Sequence, residues 1–460
     1  MRAALAVLPL LLLAGSGPAA VAEPSSRASA APAAVPIYTK KRPPRAPRQL
    51  PRRTSVSKDG ITWTFARPMQ VGRFVTGDPY VVGAVTVTGI SPAPANGRNG
   101  SVKNVPAEDD ETGFDSRTEA NRYESDLSVR PPVSLAPGDS LVSSISLDRV
   151  GSVRRWLFDR SSVSPVRSIS ILTSVRRPQP PDAFRPSYAG RGPIYLSRNL
   201  KRHLLPRLRR VAETPSLAEY ERHFRRPWVD NLMFNFDTPV EYMPDYSREI
   251  ARAVGMAGLQ LTLNYAPRQK EALLVYLTQY GIDLHGLKRR GHPGWPAHGG
   301  HGSGRKFPIV FAGVMLGNQA MQRVDGRFGE DMQTMRGAGW TGAKALYAGH
   351  YGRSGEGRYG PYEHLQPRSW PDTLGEDYRR CCTSSAWIGE ALAARLVPGV
   401  RKAWNYEPFF EYADRWMTED DSAHRAAIRS QIGKDYRGFP QREAWDDFVT
   451  NMWRAYRSRG

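Results

Sequence analysis

The chain has 460 residues, 40% of them apolar and 24% charged. That length exceeds one ordinary core, so two or three folded units are expected, and the composition excludes both a wholly disordered chain and a multi-spanning membrane protein. The formal net charge of +21 favours a polyanionic partner without saying which.

Residues 1–22 read as a secretory signal peptide, with Arg2 as n-region, Leu5 to Leu13 as h-region and Ala20-Val21-Ala22 before the cleavage point. The expected location is therefore secreted or periplasmic, with no membrane span, because no later apolar run is long enough. Residues 23–53, rich in Pro, Ala, Ser, Lys and Arg, are expected to be a disordered basic leader. The only cysteines, Cys381 and Cys382, are adjacent. They form either a vicinal disulfide or two small buried side chains, and are too few for a cysteine-based zinc site.

From 54 to 176 the pattern is one of short strands parted by turns. Ile61–Phe65, Tyr80–Val87 and Ser140–Leu147 alternate or are β-branched, and Asn96-Gly97, Asn99-Gly100 and Pro137-Gly138-Asp139 punctuate them. A β-sandwich over 54–176 is expected, followed by a Pro-rich linker over 177–196. Over 197–460 the pattern becomes helical, with apolar residues at helical spacing in Tyr246–Asn264, Gln269–Tyr280, Phe307–Leu316, Ala386–Leu396, Phe409–Met417 and Glu443–Tyr456. The fold class predicted is multidomain α and β, the sandwich being followed by an (α/α) toroid of about six helical hairpins.

Chemistry-bearing residues concentrate in one window. Between Gly281 and Gly360 lie 20 of the 42 glycines, and six of the nine histidines fall between His285 and His364. Glycine weakens helices, so this window is read as loops carried by a helical scaffold, where sites are usually built. One stretch runs from Gly294 through His298 and His301 to Arg305 and Lys306, ahead of an apolar helix whose free N–H groups suit an anion. The other holds Trp340, His350-Tyr351 and Tyr362-Glu363-His364, two imidazole–phenol pairs suited to proton transfer. Trp295 and Trp340 are candidate sugar-stacking platforms. No cofactor is expected; the alternative is a divalent metal near His292, His298 and His301, although their spacing follows no known ligand rule.

The phrase Tyr280-Gly281-Ile282-Asp283-Leu284, the Gly-Gly-His-Gly-Ser-Gly-Arg-Lys segment from Gly299 and the Gly-Pro-Tyr-Glu-His-Leu segment from Gly360 resemble those of exported bacterial proteins. Their helical part is similar to the (α/α) toroid of alginate-lyase-like and heparinase-like polysaccharide lyases. The order of sandwich and toroid here is the reverse of many such lyases. The resemblance implies a secreted carbohydrate-active enzyme that cleaves a uronic-acid polysaccharide by β-elimination. Arg305, aided by His301, would neutralise the substrate carboxylate, while Tyr351 or Tyr362 with His350 or His364 would move the protons. Trp295, Lys306, Trp340, Glu363 and Arg379 would contact substrate. Two alternatives stand: a glycoside hydrolase pairing Glu363 with Asp331, Asp377 or Asp414, and a non-catalytic glycan-binding envelope protein. The partner in the leading reading is an acidic polysaccharide; nucleic acid is not expected, because export and the lack of a recognised nucleic-acid fold count against it.

Overall fold

The computed structural model describes residues 34–108, 110–118, 122–150, 164–233, 240–438 and 440–459. The signal peptide expected over 1–22 lies outside them, as do residues 23–33 of the leader. Val35 to Gly460 cluster as one compact unit.

The first strands are β1 (Arg52–Lys58), β2 (Ile61–Arg73), β3 (Pro79–Val82) and β4 (Val85–Ser91), followed by β5 (Ser101–Lys103), β6 (Val133–Leu135), β7 (Ser140–Ser146) and β8 (Val166–Val175). Asp59 and Gly60, both at positive φ, close the β1–β2 hairpin, the conformation that an Asp-Gly pair adopts most readily. All eight strands hydrogen-bond into a single mixed sheet in the order β5-β7-β8-β3-β2-β4-β6, with β1 on β2. The strands expected to form two facing sheets thus share one ladder.

That sheet curls. Trp63 on β2 donates its indole N–H to Ser143 on β7 at 2.9 Å, although the two strands lie three places apart in the order. Side chains from both ends of the order, among them Val87 and Leu141, close with Trp63, Phe65 and Leu172 into an internal apolar cluster. The period-two alternation of strands puts Val142, Ile169 and Ile171 on the opposite face, where they join the core of the helical half.

The helices are α1 (Leu217–Phe224), α2 (Ser247–Thr262), α3 (Pro267–Arg289), α4 (Lys306–Leu316), α5 (Gln319–Gln322), α6 (Gly329–Met332), α7 (Leu374–Tyr378), α8 (Ser384–Leu396), α9 (Val400–Trp404), α10 (Glu407–Thr418), α11 (Ser422–Ile432) and α12 (Asp447–Tyr456). The fold is accordingly mixed α and β, the eight-stranded sheet first and the helices after, with two short strand pairs, Gly294–Trp295 with Arg327–Phe328 and Thr334–Arg336 with Ala345–Tyr347, among them. Among the described residues no helix is long and apolar enough to cross a membrane. Helices α2, α3, α4 and α8 are buried on nearly all sides; the apolar run of α4 requires it, while α2, α3 and α8 carry buried polar groups such as Gln260, Asp283 and Glu390 inward as well. Arg185 ties the two halves together: it is fully buried, forks onto Asp283 of α3 at 2.9 and 2.6 Å, and donates to Asp78 beside β3 at 3.1 Å.

Where α2 crosses α8, a Cβ added at Gly255 would lie 2.6 Å from the Glu390 nitrogen and 2.8 Å from the Gly389 carbonyl carbon. The contact is backbone on backbone and cannot yield by a rotamer change. Gly255→Ala is expected to destabilise the protein by roughly 1–3 kcal/mol, the usual range for overpacking. A denaturant midpoint that falls at unchanged slope is the expected result; an unmoved midpoint would mean that the crossing can open at little cost.

Candidate functional site

Three of the predicted catalytic residues converge. His301 is half-buried, His350 is 5% exposed and Tyr351 is 38% exposed, and His298 joins all three. The ring of His298 lies 5.3 Å from that of His301, 5.1 Å from His350 and 5.2 Å from Tyr351. Phenols close the cluster: Tyr246 meets His301 edge-on at 5.0 Å, Tyr378 meets His350 at 4.3 Å, and Tyr359 stacks on Tyr351 at 4.6 Å. Tyr246, Tyr359 and Tyr378 were not legible as site residues, because they lie far apart in sequence and none stands beside a histidine.

Glycine permits the loop that makes this possible. Gly299 has φ +56°, and a Cβ there would meet Tyr378 at 2.4 Å and His350 at 3.0 Å. Its N–H instead donates to the His350 carbonyl at 3.0 Å, joining the two predicted stretches directly. The loop is pinned from below. Gln333 donates to the carbonyls of Gly299 at 2.9 Å and His350 at 3.1 Å, and Trp387 donates to the Ser303 hydroxyl at 2.9 Å. Cys381 and Cys382 form a vicinal disulfide in the π-helical turn before α8. The Cys381 carbonyl accepts from Arg248 at 3.1 Å.

Burial pushes the His301 imidazole down to about 3, with His298, Arg305 and His350 adding repulsion. Burial likewise lowers His350 to about 4, with His298 and Arg358 contributing. Both are therefore neutral near pH 7 and open to a proton. Tyr246 is pushed up, by burial first and then by Tyr378, so it remains a neutral phenol. An anion entering the cluster would raise the imidazole pKa values and strengthen them as bases.

Other candidates lie elsewhere. Arg305 is fully buried: Nε and Nη2 fork onto Asp230 at 2.8 and 3.0 Å, while Nη1 donates to the carbonyls of Ser303 at 2.8 Å and His301 at 3.0 Å and to Ser247. With those donors spent, it is a positioning residue beneath His301 rather than an open clamp for a carboxylate. Lys306 is paired with Asp331 under Trp404 and Phe328. Trp295 is fully buried between His292 and Phe328, so it is core rather than platform. Tyr362 is buried and donates to Glu376 at 2.6 Å. Glu363 accepts from Arg415 at 2.8 Å and the Tyr347 N–H, and Arg379 sits between Glu363, Glu376 and Tyr412. Trp340 is half-buried against His424, and His364 is exposed on the turn after Glu363.

The carboxylates of the hydrolytic alternative are committed too: Asp414 to Arg395 and Arg457, Asp377 to Tyr436 and Lys434. Nor do the three histidines of the metal alternative assemble. His292 faces the core, donating from Nε2 to the Asn231 carbonyl at 2.9 Å and accepting the Gly294 N–H at Nδ1 at 3.0 Å. Among the described residues no group of three or more His, Cys, Asp or Glu is placed to hold a metal ion. No family model, no curated protein and no solved structure matches the chain.

A buried acid pair underlies the loop. Glu330 of α6, which accepts the Gly304 N–H, and Glu390 of α8 are both fully buried. They can hydrogen-bond to each other only when one carries a proton. As carboxylates, neither oxygen of Glu390 has a donor among the described residues. Burial raises both pKa values, Glu330 adding to the rise at Glu390, Asp331 to both, and Arg305 opposing it at Glu390. Raised folded-state values mean that the pair's contribution is complete below the ordinary carboxyl range and is lost as pH climbs through the elevated values. Glu390→Gln is expected to raise the thermal midpoint above wild type at about pH 8, with the gap closing near about pH 5. Parallel curves for the two proteins across that range would show that the pair does not hold a proton.

Proposed function

We propose that the protein is a secreted carbohydrate-active enzyme that cleaves a uronic-acid polysaccharide by β-elimination at the His298–His301–His350 cluster. One observation carries the reading: three imidazoles and four phenols meet ring to ring at a partly exposed surface. Export, taken from residues 1–22, belongs to the same proposal. So does the view of the helical half as the counterpart of the lyase toroid and of the curled sheet as that of the sandwich.

The chemistry follows from the protonation states. β-Elimination removes the proton at C5, beside the uronate carboxylate, and expels the substituent at C4 as the double bond forms. Neutral imidazoles of His301 and His350 accept the proton, and a phenol donates to the departing oxygen. Tyr351, the most exposed phenol of the cluster, is assigned that role. The substrate's own charge favours the protonated imidazole that results. Arg305 contributes by holding the His301 carbonyl, and recognition of the carboxylate falls to groups at the surface. The step requires no cofactor, and the overall positive charge would draw a polyanion toward the protein.

Incubation of the mature chain with polygalacturonate, alginate, hyaluronan and neutral glucans tests this directly. New reducing ends together with ultraviolet absorbance from a C4–C5 double bond are expected on an acidic polymer. His301→Ala and His350→Ala are each expected to lower turnover by about 10²–10⁴-fold, the span typical of general acid–base groups. Reducing ends without absorbance would replace elimination with hydrolysis, and binding without either would make the cluster a recognition surface.

A further inference from the structure

The imidazole cluster is the middle of a longer surface strip. Among the described residues three large hydrophobic side chains are exposed, Val150, Tyr351 and Trp445, and the two aromatic ones both connect to this cluster. Arg248 makes the connection at one end. Its guanidinium lies 5.4 Å from the ring centre of Tyr246, which touches His301, and 4.3 Å from that of Trp445. At the other end Tyr351 stacks on Tyr359, with Arg358 5.4 Å from the Tyr359 ring.

Trp445 is held where it is. Its backbone N–H donates to the Ser385 carbonyl at 3.1 Å, and its neighbour Asp446 is forked by Arg252 at 2.9 and 2.6 Å. Arg248 and Arg252 approach the Trp445 ring at 4.3 and 5.4 Å, and the residue is still left 37% exposed at this braced position, an aromatic contact surface open to a ligand. Arg248 is only partly spent: Nε donates to Glu249 at 2.7 Å and Nη1 to the Cys381 carbonyl at 3.1 Å, while Nη2 makes no hydrogen bond within the described residues. Glu249 and Asp446 balance the charges of Arg248 and Arg252, so this end offers a directed donor beside an apolar surface rather than surplus charge.

We propose that Trp445 and Arg248 form a sugar-binding subsite flanking the imidazole cluster, the exposed part of the indole packing against a pyranose ring and Arg248 Nη2 donating to its carboxylate. The acidic class of sugar rests on the lyase reading; the existence of the subsite rests on the strip alone. A polymer laid from Trp445 to Tyr359 would pass over His301 and His298, placing the bond to be broken between two aromatic contacts.

Calorimetric titration of the mature chain with oligogalacturonate, oligomannuronate, a hyaluronan oligosaccharide and a cello-oligosaccharide tests the subsite. At least one acidic oligomer is expected to bind more tightly than the cello-oligosaccharide, and Trp445→Ala to weaken it on the order of tenfold. Trp445→Phe, which keeps an aromatic surface, is expected to recover most of that loss and so separates contact from misfolding. Unchanged affinity in Trp445→Ala, no binding of any acidic oligomer, or tighter binding of the neutral one overturns the proposal. The two readings fail separately: loss of binding in Trp445→Ala without elimination by the wild type would remove the lyase and keep the subsite. Elimination whose KM ignores Trp445 would do the reverse.

Discussion

A guanidinium with no access to water must be paired on every side, and the way Arg305 meets that demand organises the candidate site. Its partner Asp230 also accepts from Tyr280 of α3 at 2.7 Å, so one buried carboxylate joins the glycine loop to the longest helix. The remaining donors hold the carbonyls of His301 and Ser303. Removing either charge would strand the other in an apolar interior, which costs far more than the pair itself contributes. The loop is thereby tied to Arg305 at two carbonyls, and half-buried His301 is held by its own backbone.

The same economy recurs at other buried arginines. Arg185, Arg305, Arg379 and Arg380 are all buried, each paired with Asp or Glu. These arginines build the interior, and because their carboxylate partners cancel them, the +21 surplus is carried by other residues. What reaches the surface at the site is different in kind: neutral imidazoles, phenols and an indole, with Arg248 and Arg358 at the margins. Such a surface presents flat apolar faces edged with hydrogen-bonding groups, the combination that suits a sugar ring.

Element type was legible because it depends on neighbours in sequence. The alternation in Ile61–Phe65 became part of β2, and the helical spacing in Tyr246–Asn264 became α2. The pairing of strands depends on partners many residues away, and a run such as Ser140–Ser146 reads identically in a sandwich or in a curled sheet. Likewise the concentration of Gly and His between Gly281 and Gly360 marked the stretch that supplies His298, His301 and His350 to the cluster, although Gly281, Gly286 and Gly313 lie inside α3 and α4.

Composition and periodicity by themselves determined the strand-then-helix order, the approximate positions of α2, α3, α4, α8, α10 and α12, and the stretch that carries His298, His301 and His350. Tertiary structure alone decided which residues of that window face outward. Arg305 and Tyr362 looked as available as His301 and Tyr351, yet one is sealed onto Asp230 and the other onto Glu376. Only the fold brought Tyr246 and Tyr378 against the histidines and Trp445 against Arg248. Burial and charge pairing are properties of the assembled interior, where the cost of an unsatisfied group is set by everything around it, and no local run of sequence contains that information.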